Sequence, residues 1–388
     1  MDRAVPSRLK RLLAGAAGAL ALVVCFMIVS GCEAFGGRAR GARLARMERS
    51  PERRDGNFVN PQPLNNHFWR SIADLSGTSP DASPRSPPPF AISDPRTFVA
   101  PPVSGLRVTW FGHSSILLEI DGHRVLTDPI WSERASPYSW VGPKRFAPPA
   151  IALADLPPID FVVISHDHYD HLDMRTVQAM ISWRSLFVVP LGVGAHLVSW
   201  GIPEARIVEV DWWESKSFGG LQIVCVPARH ASGRRVVDDD DKLWAGYAFV
   251  TSAHRVYYSG DTGLFPGLRD IGARLGPFDL TMIEAGQYGR GWPDWHLGPE
   301  QAVQAHQLVR GKAMLPVHWA MFQLAYHAWT EPMERVLLAA KPLGVKVLAP
   351  RVGQSIEPMA PPPFEQWWPA LPVHTGAEDP IVATGFSQ

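Results

Sequence analysis

Ser165-His166-Asp167-His168-Tyr169-Asp170-His171 is the stretch on which the reading of this chain turns. It directly follows Phe161-Val-Val-Ile164, a short apolar run of the kind that forms a buried strand. His166 and His168 are two positions apart, so in a non-helical loop both imidazoles can turn toward one point, while Asp170 and His171 face a second. Three imidazoles and a carboxylate packed this tightly would desolvate one another at a cost unless a cation neutralised them. A pair of zinc ions solves that problem, since imidazole and carboxylate bind zinc at about 2.0–2.2 Å. The motif holds too few ligands for two metals, so others must come from elsewhere. His230, Asp261 and His318 each stand just past an expected strand, at Leu221–Val226, Arg255–Tyr258 and Ala313–Val317. Strand ends are where an α/β sheet presents side chains to a crevice.

Working outward, Arg107–Phe111 and Ile116–Ile120 are rich in β-branched and aromatic residues. Asp121-Gly122 is a hairpin signal, and Arg124–Thr127 is the return strand. Leu186–Pro190, Arg206–Val210, Tyr247–Val250 and Leu280–Ile283 read as further strands. Thr176–Trp183, Pro299–Val309 and Glu331–Ala340 read as helices, the last two opened by proline in the first turn. Strands interleaved with helices give an α/β body of sheets covered by helices.

The 388 residues, 46% of them hydrophobic, suffice for a full core. The 37 basic and 37 acidic residues balance, but arginine crowds the first 54 positions and leaves the remainder mildly acidic. That sign argues against a nucleic-acid partner, which needs clustered cations. Residues 3–11 are basic and Leu12 to Ser30 are apolar and small, the layout of a secretory signal. Val29-Ser30-Gly31-Cys32 resembles a bacterial lipobox, which makes Cys32 the expected lipidation site; an uncleaved membrane anchor is the other reading. Glu33 after the cysteine favours the periplasmic face of the outer membrane in a Gram-negative envelope. The expected organisation is a signal and anchor over 1–32, an Arg- and Pro-rich tether with N-terminal extension over 33–100, the catalytic body over 101–358 and a Pro-rich tail over 359–388. The arginines of 39–54 read as a solvated linker or as a contact with anionic headgroups. Cys225 lies in an apolar run and reads as a small buried hydrophobe. Asp238-Asp-Asp-Asp241 reads as a solvated acidic loop. No phosphate-binding Gly-rich loop and no nucleophilic serine elbow is present.

His-x-His-x-Asp-His, a later His, Gly-Asp-Thr and a last His after a strand resemble the metallo-β-lactamase superfamily. Within it the chain is similar to N-acylphosphatidylethanolamine-hydrolysing phospholipase D. The matching stretches include Phe58-Val-Asn-Pro61, Leu106-Arg-Val-Thr-Trp-Phe-Gly-His113, Leu126-Thr-Asp-Pro-Ile130, Val141-Gly-Pro-Lys-Arg-Phe146, Glu209-Val-Asp-Trp-Trp-Glu214 and Val317-His-Trp319. The resemblance implies an αββα sandwich of two β-sheets flanked by helices. It implies one zinc on His166, His168 and His230, another on Asp170, His171 and His318, and Asp261 bridging them. Asp261 and Asp170 are then the catalytic carboxylates, and Tyr169 and His296 the contacts to the substrate headgroup. Trp295 stands where the family has Gln, and Ala285–Arg290 also departs from its pattern; both departures lie on the substrate side of the site, away from the metal ligands. His113 is expected to brace the site without ligating.

These features imply hydrolysis of a membrane phospholipid, N-acylphosphatidylethanolamine going to N-acylethanolamine and phosphatidic acid. Water activated at a zinc pair would replace a side-chain nucleophile. Trp131, Trp140, Trp292, Trp295 and Trp329 are candidates for an acyl groove or interfacial contact. The competing readings are a dizinc lactonase or soluble-phosphodiester hydrolase, a nuclease of the same fold, and a metal-free envelope protein that binds a partner. The expected partners are the phospholipid, the membrane surface through the lipid anchor, and a second copy of the chain in a homodimer.

Overall fold

The computed structural model describes residues 31–235 and 240–385, besides Gly15 and Gly18. The expected signal segment up to Ser30, and Asp238 and Asp239 of the acidic loop, lie outside the described residues. No helix among the described residues is long and apolar enough to cross a membrane.

Two mixed seven-stranded sheets form the body. The first contains β3 (Leu106–Trp110), β4 (Ile116–Ile120), β5 (His123–Thr127), β6 (Phe161–Val163), β7 (Leu186–Pro190), β8 (Ile207–Val210) and the late strand β16 (Ser355–Ile356). Its order is β16-β3-β4-β5-β6-β7-β8, antiparallel up to β5 and parallel from β5 onward. The second contains β9 (Ser215–Phe218), β10 (Leu221–Val226), β11 (Gly246–Val250), β12 (Arg255–Tyr258), β13 (Phe278–Glu284), β14 (Gly311–Val317) and β15 (Lys346–Val347). Its order is β15-β14-β13-β12-β11-β10-β9, parallel from β15 to β12 and antiparallel beyond. The helices are α1 (Gly41–Glu48), α2 (Phe68–Leu75), α3 (Met174–Ala179), α4 (Gly194–Ser199), α5 (Gly267–Leu275), α6 (Pro299–Leu308) and α7 (Glu331–Ala340), and β1 (Arg53–Arg54) pairs with β2 (Asn57–Phe58) outside the two sheets.

One large apolar cluster joins side chains of both sheets, including Val108, Leu118, Val162, Val188, Ile223, Phe249, Leu280 and Leu315. A second, with Leu268, Ile271, Ala302, Val303 and Val336, lies where α5, α6 and α7 cover β13 and β14. The β4–β5 turn places Asp121 and Gly122 both at positive φ, the geometry that matches strand twist. Every strand that leads into the cluster of candidate ligands (β3, β5, β6, β10, β12, β13 and β14) delivers it from its C-terminal end.

Much of the expected tether and N-terminal extension at 33–100 is folded onto the body. Arg43 of α1 pairs with Glu204 at 2.6 Å and Glu209 at 3.1 Å, and Arg46 pairs with Glu214 at 2.6 Å. The acidic edge around β8 and β9 therefore satisfies arginines that the sequence alone assigns to solvent or headgroups. Met47 and Phe58 are buried beneath them. The tail at 359–388 is also fixed: Trp367, Trp368 and Ile381 are buried, and Thr384 donates its backbone N–H to Asp294 at 2.8 Å.

Candidate metal centre

The loop after β6 holds the motif in place through a carboxylate that follows β5. Asp128 accepts from the Ser165 backbone N–H at 2.7 Å, from the Ser165 and Tyr258 hydroxyls, and from His171 Nδ1 at 2.7 Å. Nδ1 of His171 is thereby committed as a donor, which leaves Nε2 free to ligate. His230 follows β10, and its Nδ1 donates to the Trp295 carbonyl at 2.9 Å, again exposing Nε2. Asn60, from the folded extension, clamps the His230 backbone on both sides, at 2.7 and 2.9 Å. Asp261 follows β12 after Gly260, whose φ is +57°. A Cβ there would stand 2.7 Å from the Ala245 carbonyl oxygen and 2.8 Å from Ser165 Cβ. Only glycine allows that approach. His318 follows β14 at φ +68°, and its N–H donates to the carbonyl of His113, itself at φ +51°. Such left-handed conformations in non-glycine residues concentrate at functional sites.

The structure brings all seven expected ligands together, as two sets that share one oxygen. In the first, His166 Nε2 lies 2.9 Å from His168 Nδ1, which lies 3.3 Å from His230 Nε2. Asp261 Oδ2 is 3.8 Å from both His166 Nε2 and His230 Nε2. In the second, His171 Nε2 and His318 Nε2 are 3.2 Å apart, and each is 3.4 Å from Asp170 Oδ2. Asp261 Oδ2 completes that set at 3.0 and 3.2 Å from the two imidazoles. A tetrahedral ion bound at about 2.0–2.1 Å sets neighbouring ligand atoms about 3.3 Å apart, and the edges that His171 and His318 make with each other, with Asp170 and with Asp261 are near that length. The first is slightly more open toward Asp261. Facing imidazole nitrogens at such separations fit metal ions well.

Electrostatics point the same way for four of the imidazoles, whereas at His171 burial is outweighed by the carboxylates of Asp261, Asp170 and Asp128, which hold it well above the ordinary histidine range. Burial pushes the imidazoles of His166, His230 and His318 well below the ordinary histidine range, and lowers His168 as well. They are neutral, as ligands must be. Burial works to raise Asp170, but His171 and then hydrogen bonds from His113, His171 and His318 hold it well below the usual carboxylate range. Burial, opposed by His171 and reinforced by Glu284, pushes Asp261 up to about 7. Asp261 Oδ1 is buried and has no hydrogen-bond partner. Buried acid of this kind calls for a nearby cation.

Three further residues complete the centre. His113 donates from Nε2 to the Asp170 carboxylate at 2.8 Å, the bracing position expected for it. Asp128 enters the sequence reading only within the matching stretch Leu126–Ile130, and Glu284 not at all; neither was read as part of the centre. Glu284 ends β13 fully buried, and burial raises its carboxyl well above the usual range. It accepts from the Thr262 N–H at 2.6 Å, and its other oxygen lies 2.8 Å from His296 Nδ1 and 3.4 Å from His318 Nδ1. A lone acid at a strand end carries no spacing signal; only its place after a strand could have marked it.

The two expected headgroup contacts part ways. His296 stacks on His318 with ring centres 5.2 Å apart and lies 3.9 Å from Asp261. Tyr169 points elsewhere: its hydroxyl donates to the Arg234 carbonyl at 2.6 Å, its ring lies 4.1 Å under the Arg234 guanidinium, and it faces a neighbouring recess with Ser132 and Asp173. A cavity of about 1000 Å³ opens over His168, lined by Phe35, Leu64, Tyr138 and Trp295 among others. Of the five tryptophans singled out, Trp295 lines it and Trp140 touches the Tyr138 ring at 5.6 Å. Trp329 is buried in the core, Trp131 is anchored to the Ile151 carbonyl and Trp292 to that of Gln287.

Two seven-stranded sheets with a histidine–aspartate centre at their strand ends define a metal-dependent hydrolase. Residues 123–319 match the beta-lactamase superfamily domain, and the chain belongs to that metallo-β-lactamase superfamily. An uncharacterized protein of Mycobacterium tuberculosis is 47% identical over 375 residues, covering 93% of this chain and 99% of that protein. The N-acyl-phosphatidylethanolamine-hydrolyzing phospholipase D 1 of Caenorhabditis elegans is 37% identical over 246 residues, covering 60% of this chain and 69% of its own length. The solved structure of Igni18, a metallo hydrolase from Ignicoccus hospitalis, shares the fold with a TM-score of 0.51 at 24% identity, covering 65% of this chain and 97% of that one.

Proposed function

We propose that this hydrolase carries two zinc ions and cleaves N-acylphosphatidylethanolamine in the phospholipase D sense, to N-acylethanolamine and phosphatidic acid. The observation that carries the reading is the pair of ligand sets sharing Asp261 Oδ2 beneath a large, partly apolar cavity. The five imidazoles and two carboxylates are the donor types zinc favours. The relation to the nematode phospholipase D favours a phosphodiester of this lipid class. His166, His168 and His230 would hold one ion, and Asp170, His171 and His318 the other. Bound zinc would supply water activated near neutral pH and Lewis acidity at the phosphoryl oxygens.

The chain's own groups do the rest. Asp261 commits Oδ2 to the ligand sets and leaves buried Oδ1 to accept a hydrogen bond from the attacking water, fixing its approach. Asp170 is held in place by His113. Glu284 orients His296, which is partly exposed beside the cavity-lining Trp295 and would donate to the phosphodiester. Exposed Cys32 would carry the lipid that holds the enzyme at the periplasmic face of the envelope.

Purified protein should contain about two zinc ions per chain by elemental mass spectrometry. It should release phosphatidic acid and N-acylethanolamine from N-acylphosphatidylethanolamine micelles, and Asp261→Ala should not. Turnover of lactones with no release from the lipid would overturn the phospholipase reading.

A further inference from the structure

Cys32 lines the same cavity as His168. Residues 31–38 are thus a wall of the substrate site, and the body holds this wall closely. Trp200 Nε1 donates to the Glu33 carbonyl at 2.7 Å, Arg234 to that of Ala34 at 2.8 Å and Arg235 to that of Gly36 at 2.7 Å. Gly36, at φ +68°, lies so close that a Cβ would meet His196 Nδ1 at 2.0 Å. Arg234 also donates to the carbonyls of Asp167 and Leu172, so the group that staples the wall also ties down the metal motif.

The chain upstream of this wall is the apolar stretch Leu12–Ser30. Whether that stretch stays in the membrane or is replaced by lipid on Cys32, the anchor begins one or two residues from the stapled backbone. Such a leash spans at most about 7 Å. The body therefore cannot hang away from the bilayer, and the side that meets the bilayer is the cavity side. That side is suited to it. Trp140 and Trp295 are 53% and 37% exposed and Val141 is 40% exposed, and exposed Arg38 lines the same cavity as Trp295. Exposed tryptophans with neighbouring cations are the chemistry of the headgroup layer. Among the described residues, Glu33 and Asp240 are the acids at the wall.

We infer that the cavity rim, with Cys32 in its wall and Trp140 and Trp295 on its edge, is a bilayer-seating face that opens the metal centre directly onto the lipid headgroups. A phospholipid then slides into the cavity without crossing bulk water. This deepens the proposed function and rests on it for the identity of the substrate.

The test uses the full chain in vesicles of phosphatidylethanolamine with a minority of phosphatidylglycerol. Single fluorescent labels go on Trp140→Cys and on Val103→Cys. Val103 is 99% exposed and precedes β3, at the sheet end away from the centre. Doxyl-lipid quenching should be several-fold stronger at position 140 than at 103; equal quenching, or stronger quenching at 103, overturns the seating face. Val141→Glu should cut turnover of vesicle-borne N-acylphosphatidylethanolamine about tenfold and leave a short-chain, water-soluble analogue unaffected. An equal loss on both overturns it. Absence of all turnover of this lipid would sink the substrate assignment, while the quenching comparison would still decide the orientation.

Discussion

Asp128 shows how much of the centre depends on residues that never face a metal. Its carboxylate fixes Ser165, Tyr258 and His171 at once, and so sets the imidazole atom that His171 offers. Asp128→Asn keeps the shape but loses an acceptor for the His171 N–H, and should lower metal occupancy or turnover by about 10- to 100-fold. Elemental analysis beside kcat would check it, and unchanged values for both would refute the role. Gly260→Ala forces a Cβ against the Ala245 carbonyl and Ser165 at a left-handed φ. It should cost more than the roughly 1 kcal/mol typical of such glycines, read by chemical denaturation, and should displace Asp261. The convergence of the seven expected ligands was legible because the residues are closely spaced, as in 166–171, or stand just past a strand. Asp128 and Glu284 were not, since each acts through groups that come from distant strands. Tyr169 stands between candidate ligands in the sequence, yet its own hydroxyl donates to the Arg234 carbonyl, a partner that no spacing announces.

At the scale of elements, buried strands read well because burial leaves unbroken β-branched and aromatic runs. Ile116–Ile120 and Leu221–Val226 stand where the pattern put them. α5 escaped notice because Gly267 and Gly272 break its pattern, and Gly272 is there to let the helix pack on the Leu308 carbonyl, 2.3 Å from a would-be Cβ. β9, Ser-Lys-Ser-Phe, is a half-exposed edge with no apolar run to find. α6 carries a titration of its own. His306 is buried against β13, Nδ1 2.8 Å from the Thr281 hydroxyl, and burial lowers it to about 4. The unfolded chain takes up this proton near the ordinary value of about 6.5, whereas the folded chain resists until about 4. Stability from a neutral His306 is therefore complete above pH 6.5 and declines as pH falls toward 4. The advantage of wild type over His306→Asn in unfolding free energy should shrink by about 2–3 kcal/mol between pH 7.5 and pH 4. A gap that stays constant across that range would show that His306 is not held neutral.

At the scale of the whole molecule, the two ends of the chain act as buttresses for the same strand-end loops. The extension supplies Asn60 to the His230 backbone. The tail brings Thr384 to Asp294, which pairs with buried Arg229 at 2.9 Å, immediately before the candidate ligand His230 and close to His296. Neither role was legible, because prolines and arginines read as linker until the surface that receives them is known. The clearest case is Trp367. Its ring stacks on Trp319 at 5.3 Å, Trp319 stacks on Trp110 at 5.4 Å, and Trp319 directly follows His318. An aromatic chain thus runs from the tail to a candidate ligand. Trp367→Ala would open a cavity beside Trp319 and should cost about 3–5 kcal/mol. If the stack also steadies His318, the variant should lose its metal to a chelator faster than wild type at a temperature where both remain folded. Thermal unfolding and metal release under EDTA separate the two effects. A tail that merely trails from the body would leave both unchanged, whereas a stack that serves only packing would lower the melting temperature without altering metal release.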